Sequence, residues 1–263
     1  MFKRELKQNF KSFLLWTGSL IFLCFLVLLL YKSIINGSNL ENINDVLKSF
    51  PPDVLKMFNL DISGIDSAYG WLKTEGIVFI FIVSGMYSAI LGSTIVLKEE
   101  DEKTIEYLYS LPVSRNFIFF KKYFVGIIYI SGMLIMLTMF NFFGLILNDN
   151  FDIGQFFALS LSPALPSLVI YSLSMFLSTF FHKTKKIMPL CMGITFVSYF
   201  LYAVSQMNEK VEFFKYFSVF SLSDSRNIIQ NNSFSLYVIV IFVLLFGGFS
   251  YLSLYHYNKK ELL

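Results

Sequence analysis

The sequence predicts an all-α membrane protein that crosses the bilayer six times. Of its 263 residues, 56% are hydrophobic and only 15% are charged, whereas a soluble domain carries about 25% charged residues. Six runs of 19 to 27 residues contain no Asp, Glu, Lys or Arg, and roughly 20 apolar residues suffice for one helix to cross. The predicted spans of this single transmembrane domain, residues 1–263, are 13–31, 77–97, 123–147, 155–181, 187–206 and 235–255.

The N-terminal segment, residues 1–11, is predicted to form an amphipathic elbow helix before the first span. Phe2, Leu6 and Phe10 recur every four residues, while the basic residues occupy other faces. This pattern is typical of a helix that lies in the headgroup layer. The following apolar run lacks a small-x-small cleavage site, so we interpret it as a retained span rather than a signal peptide.

Two long polar segments, residues 32–76 and 207–234, are predicted as extracellular loops. The first carries Pro51-Pro52 between two short helical patterns, and a loop of this length without structure would be uncommon, so we expect a small folded cap or interfacial helices. The middle of the second, Phe213–Leu222, is aromatic and apolar. This composition favours short re-entrant or interfacial helices.

Small residues and prolines distinguish the second and fourth predicted spans. Ser84, Ser88 and Gly92 recur every four residues, a stripe that favours close helix packing. Pro163 and Pro166 should kink or break the fourth span. The break is either a hinge or pathway wall, since freed backbone groups can line a cavity, or a kink that serves packing alone.

The basic residues predict the orientation. If the N-terminus is cytoplasmic, 14 of the 21 Lys and Arg residues fall in the cytoplasmic segments. Basic residues accumulate in cytoplasmic loops. We therefore expect both termini in the cytoplasm.

The six apolar runs also lack His, which argues against proton-coupled transport and against an intramembrane metalloprotease or serine peptidase. Ionisable groups in spans are costly and mark such functions. The sequence contains no G-x-x-x-x-G-K-[ST] phosphate loop. We expect no enzyme activity, cofactor or metal in this chain, and any energy for transport must come from a partner.

A charged island, Lys98–Lys122, separates the second and third spans. Within it, apolar positions follow the helical spacing i, i+3, i+4, i+7: Ile105, Leu108, Tyr109 and Pro112. Thr104 can cap this short helix, and Pro112 limits its length. The pattern fits an amphipathic helix along the membrane, or a solvated loop whose acidic residues aid solubility.

The run EEDEKTIEYLYSLPVSR, residues 99–115, resembles the signature of ABC-2 type permeases, membrane subunits of ATP-driven exporters with a type V exporter-like fold. The family has an acidic pair, a Thr, a Glu two residues on, a segment with Leu, Ser and Pro-Val-Ser-Arg, and a Lys that opens the next span. The matching residues here are Glu99, Glu100, Thr104, Glu106, Leu108, Ser110, Pro112, Val113, Ser114, Arg115 and Lys122. A Gly commonly precedes the Thr in the family, where this chain has Lys103.

The resemblance implies a permease subunit in a bacterial plasma membrane that exports an amphiphilic or peptide-like substrate. Its partners would be a cytoplasmic ABC ATPase, a second identical or related permease chain and membrane lipid, with no nucleic acid. The island would then contain a cytoplasmic coupling helix, with apolar anchors and charges for the ATPase: Glu99, Glu100, Glu102, Thr104, Ile105, Glu106, Leu108, Pro112 and Arg115. The alternative is a membrane assembly or regulatory protein that transports nothing.

Overall fold

The computed structural model describes residues 2–35, 49–57, 67–106, 112–146, 151–223 and 235–260, and within these the chain is helical without strands. Six helices are long and apolar enough to cross a membrane, which confirms the all-α polytopic fold. The helices are α1 (Phe2–Ile35), α2 (Pro52–Met57), α3 (Ala68–Ile95), α4 (Lys98–Asp101), α5 (Arg115–Ile146), α6 (Ile153–Leu161), α7 (Ala164–Ser178), α8 (Thr184–Ser205) and α9 (Leu236–Lys259).

The N-terminal segment does not form a helix of its own. Residues 2–35 form the single helix α1, so the segment predicted as an elbow helix forms its first turns. No glycine or proline occurs before Gly18 to interrupt it. At a rise of 1.5 Å per residue, α1 is about 51 Å long, which exceeds the roughly 30 Å hydrocarbon core. The excess places several turns outside that core.

Helix α3 begins nine residues before the predicted start of the second span. The Ser67 hydroxyl accepts a hydrogen bond from the Gly70 amide at 2.9 Å and caps the helix. One π-helical turn, Leu72–Gly76, then leads into the regular part of α3. Lys73 and Glu75 lie in this turn, so the helix extends beyond the charge-free run from which the span was predicted. Of the predicted cap, α2 is described, while residues 36–48 and 58–66 lie outside the described residues.

The fourth span is broken into α6 and α7 at Ser162–Pro163. Pro163 cannot donate a backbone hydrogen bond, so the chain turns there. Pro166 lies in the first turn of α7, where proline costs little because those amides have no partner within the helix.

The bundle is centred on the contact of α3 with α7. A Cβ added to Gly92 would lie 2.4 Å from the Tyr171 carbonyl oxygen, so the two backbones touch there. The Ser167 hydroxyl donates to the Ser84 hydroxyl at 3.1 Å. Ser84, Ser88 and Gly92 are buried within this chain, at the contact that small residues permit.

At the end of the bundle where α8 ends, two 3₁₀ segments, Glu209–Phe217 and Val219–Ser223, follow. Phe220 is buried between α3 and α8, with its ring edge-on to Phe81 at 5.9 Å and to Tyr199 at 5.4 Å. The Ser218 hydroxyl donates to the Ser198 carbonyl at 2.6 Å. The Val219–Ser223 part therefore enters the bundle, whereas Phe213, Tyr216 and Phe217 remain exposed.

Candidate functional site

The acidic half of the island folds as the short helix α4, which follows α3 after one turn. Its end is a Schellman motif: the Lys103 amide donates to the Glu100 carbonyl at 3.2 Å, and the Thr104 amide to the Glu99 carbonyl at 2.8 Å. Lys103 has a φ of 56°, in the left-handed region that glycine adopts most readily. Lys103 therefore adopts a left-handed backbone conformation that favours glycine.

Lys122 forms a buried ion cluster with two carboxylates. Its ammonium donates to Glu99 at 2.6 and 2.8 Å, to Glu5 at 3.1 Å and to the Ile95 carbonyl at 2.9 Å. The exposed fractions are 1% for Lys122 and 2% for each glutamate. Burying such charges costs several kcal/mol per ion unless each is paired and hydrogen-bonded. The cluster meets this condition and joins α1, α3, α4 and α5.

Glu100 joins α4 to two further segments. One carboxylate oxygen contacts the His182 ring in the turn between α7 and α8. The other accepts a hydrogen bond at 2.6 Å from Lys260, which follows α9. The Lys260 ammonium also donates to the Phe181 carbonyl. Glu100 is thus held between the α7–α8 turn and the end of α9.

Asp101 and Arg115 satisfy helix ends that would otherwise be unpaired. The Asp101 carboxylate accepts from both the amide and the hydroxyl of Thr184, the first residue of α8. An anion is favourable at such a helix N-terminus. The Arg115 guanidinium donates to the carbonyls of Asn258 and Lys260, each at 3.2 Å, at the end of α9.

We call this arrangement the charge hub, with the members Glu5, Glu99, Glu100, Asp101, Arg115, Lys122, His182 and Lys260. Its contacts join α1, α3, α4, α5, α8, α9 and the turn after α7 at one end of the bundle. Among the described residues, no group of His, Cys, Asp and Glu side chains could hold a metal ion. The hub connects helices from both ends of the sequence through side-chain bonds.

The predicted coupling residues divide into three groups. The side chains of Glu99, Glu100 and Arg115 bond to partners within the chain. Ile105 is buried at 7% exposure. Exposed residues form the third group: Glu102, Thr104, Glu106 and Pro112. Leu108 falls within residues 107–111, which lie outside the described residues.

Sequence reasoning missed the partners of the island acids. Glu5, the one acidic residue among residues 2–11, was treated as part of a headgroup-layer helix. The structure buries Glu5 with Phe13 and Leu20 on one side of α1, and this burial is not visible in the sequence. An acidic residue on the buried face of a helix requires a cation nearby.

The chain matches the family model for the ABC-2 family transporter protein over residues 1–262. It therefore belongs to the ABC-2 family and is a multi-pass membrane permease of an ABC transporter, which acts with an ABC ATPase subunit. Permease subunits of this family are generally not enzymes themselves. No curated protein and no solved structure shows significant similarity to this chain.

Proposed function

We propose that this permease exports an amphiphilic or peptide-like substrate, driven by ATP hydrolysis in a separate cytoplasmic subunit. The charge hub is the observation that carries the proposal. The island is bonded through Glu99, Glu100, Asp101 and Arg115 to helices from both ends of the sequence. A push on the island by an ATPase would therefore move several spans together.

In this proposal the coupling residues have different roles. Glu99, Glu100 and Arg115 connect the island to the spans rather than to the ATPase, because their polar groups already have partners in the chain. Glu102, Thr104, Glu106 and Pro112 supply a polar rim that tunes orientation and rate. Ile105 anchors the segment to its own bundle, and Leu108 is the apolar anchor for the ATPase.

Replacement of Leu108 by Asp tests the coupling role. We expect loss of the copurifying ATPase and of coupled transport, with membrane insertion unchanged, because a charge cannot fill an apolar groove. Glu102→Gln is the matched control, since it alters an exposed rim position, and it should have a much smaller effect. Normal ATPase binding and transport by Leu108→Asp would make the island an ordinary solvated loop. If no ATPase copurified with the wild-type chain, the alternative of a non-transporting membrane protein would be favoured.

We propose a bacterial plasma-membrane location with both termini, and therefore the hub, in the cytoplasm. Support comes from the 14 of 21 basic residues on that side. Cysteines at Glu102 and Glu209, both exposed, provide a test in a chain whose native Cys24 and Cys191 are replaced by serine. An impermeant thiol reagent added to intact cells should label position 209 and spare position 102. The reverse labelling pattern would invert the topology.

We propose that two permease chains, identical or related, work with two ATPase subunits, because six spans are few to enclose a path for a sizeable substrate. The stripe of Ser84, Ser88 and Gly92 is buried within one chain, so another face must join the chains. Mass measurement of the complex in detergent tests this stoichiometry. A stable, active complex with one permease chain would contradict it.

The break at Pro163 and Pro166 is proposed as a hinge beside the substrate path. The Ser223 hydroxyl donates to the Ser162 carbonyl, so the backbone freed at the break is bonded to the 3₁₀ segment. Movement of α6 relative to α7 would then move that segment. Pro163→Ala should lower the transport rate without loss of ATPase binding, and an unchanged rate would leave only a packing kink.

A further inference from the structure

Four exposed cations line one face of the first turns of α1. Lys3, Arg4, Lys7 and Lys11 are all exposed, and their spacing of i, i+1, i+4 and i+8 places them within one face of a helix. Glu5 lies on the other side of α1, where it bonds to Lys122. The hub and this cationic face are therefore on different sides of the same helix.

The cationic face continues directly into an apolar face that is also exposed. Leu14 and Leu15, one turn after Lys11, are 50% and 72% exposed, and Phe22 is exposed further along. Because the hydrocarbon core takes about 20 residues of helix, a core that begins near Leu14 accommodates the rest of α1. Lys3 to Lys11 then lie at the level of the lipid headgroups.

Helix α8 has the same arrangement. Lys185 and Lys186 are exposed in its first turn, and Leu190, Ile194 and Val197 continue that face as exposed apolar residues. This turn lies at the hub end of the bundle, since the neighbouring Thr184 bonds to Asp101. Two helices thus place cations at the same end of a lipid-facing surface.

We infer that these two faces bind the phosphate headgroups of anionic phospholipids at the hub end of the protein. Long basic side chains beside apolar rows can reach the headgroup layer while their stems cover hydrocarbon. Anionic leaflets attract such residues, and the attraction falls off with salt. The continuity with apolar lipid-facing rows distinguishes this surface from a docking site for a soluble protein.

Native mass spectrometry of the purified full-length chain tests this inference, with phosphatidylglycerol and phosphatidylcholine added in equal amounts. We expect the wild-type chain to retain phosphatidylglycerol preferentially. The double variant Lys7→Gln/Lys11→Gln should reduce that preference by about fivefold for each neutralised charge. Lys210→Gln/Lys215→Gln removes the same charge at the other end of the bundle and should change the phosphatidylglycerol preference little. Lys7→Arg/Lys11→Arg keeps both positive charges and should retain the phosphatidylglycerol preference.

Three results would overturn the inference. The first is an unchanged lipid preference in Lys7→Gln/Lys11→Gln. If that variant also lost the copurifying ATPase, the face would be assigned to protein docking. The second is an equal loss in Lys210→Gln/Lys215→Gln, which would indicate a response to net charge alone. The third is the absence of a phosphatidylglycerol preference in the wild-type chain. The readout is lipid retention, so failure of the proposed export function would leave this test intact.

Discussion

The helices are held together by different interactions at the two ends of the bundle. At the hub end, Lys122 and its carboxylate partners join helices through buried ionic bonds. At the opposite end, the Phe220 ring packs against Phe81 and Tyr199, and Ser223 supplies a single hydroxyl to the broken span. Both ends contain aromatic contacts, such as Phe119 with Tyr257 at the hub end, but among the described residues only the hub end adds a buried ion cluster.

This difference has a consequence for motion. Separating the members of a buried ion pair leaves uncompensated charge in a medium of low polarity, at a high cost in free energy. Separating aromatic rings loses packing contacts but leaves no buried charge without a partner, so it costs less. We therefore expect the hub end to move as one unit and the Phe220 end to open and close.

Lys122→Met should have the largest effect on stability. Methionine has a similar volume but leaves Glu5 and Glu99 buried without their cation, and breaking such a pair costs about 3–5 kcal/mol. The measurement is the midpoint of thermal aggregation in detergent, followed by size-exclusion chromatography. Lys121→Met is the control, because that neighbouring cation contacts the Phe2 and Phe117 rings rather than carboxylates. Equal midpoints for the two variants would show that the hub does not stabilise its end.

Phe220→Ala should destabilise the other end by about 3 kcal/mol. This is the lower value for removal of a buried Phe ring, because the 3₁₀ segment can move to fill the cavity. Phe217→Ala is the matched control, since Phe217 is 72% exposed. Hydrogen exchange should show faster opening around residues 209–223, with α4 unchanged. Equal acceleration at both ends would mean that the bundle opens as a whole.

Most of this fold could be predicted because charge-free runs determine where spans can lie. The prediction did not extend this helix back to Ala68, where α3 begins and accommodates Lys73 and Glu75. It also missed the hub, because Glu5 and Lys122 are 117 residues apart in sequence and no local pattern pairs them. Local signals identified the island as important, but long-range contacts determine which of its charges face inward.

Ser223→Ala removes the hydrogen bond to the Ser162 carbonyl and should cost about 1 kcal/mol. The effect should again be confined to the Phe220 end, visible as faster exchange near the helix break. Ser221→Ala is the control, because the Ser221 hydroxyl bonds locally to the Ser218 carbonyl at 2.7 Å. If the two variants behaved alike, the Ser223 bond would not connect the 3₁₀ segment to the fourth span.

The smallest expected effect is a gain in stability at the hub end. Lys103 has a φ of 56°, and a left-handed conformation costs a residue with a Cβ about 1–2 kcal/mol. Glycine avoids that cost but loses more conformational entropy on folding, which offsets about 0.5–1 kcal/mol. Lys103→Gly should therefore raise the aggregation midpoint slightly, by the equivalent of about 0–1.5 kcal/mol.

Lys103→Val separates this backbone effect from the loss of a surface charge. Both variants remove the same exposed ammonium, but a β-branched residue at positive φ is a steric outlier. We expect the aggregation midpoint of Lys103→Val to be lower than that of the wild type, and the midpoint of Lys103→Gly to be higher. The Schellman bonds from Lys103 and Thr104 to α4 hold Glu99 and Glu100 in position, so the valine variant should also loosen the hub. Equal midpoints for the glycine and valine variants would show that the turn conformation does not limit stability at this end.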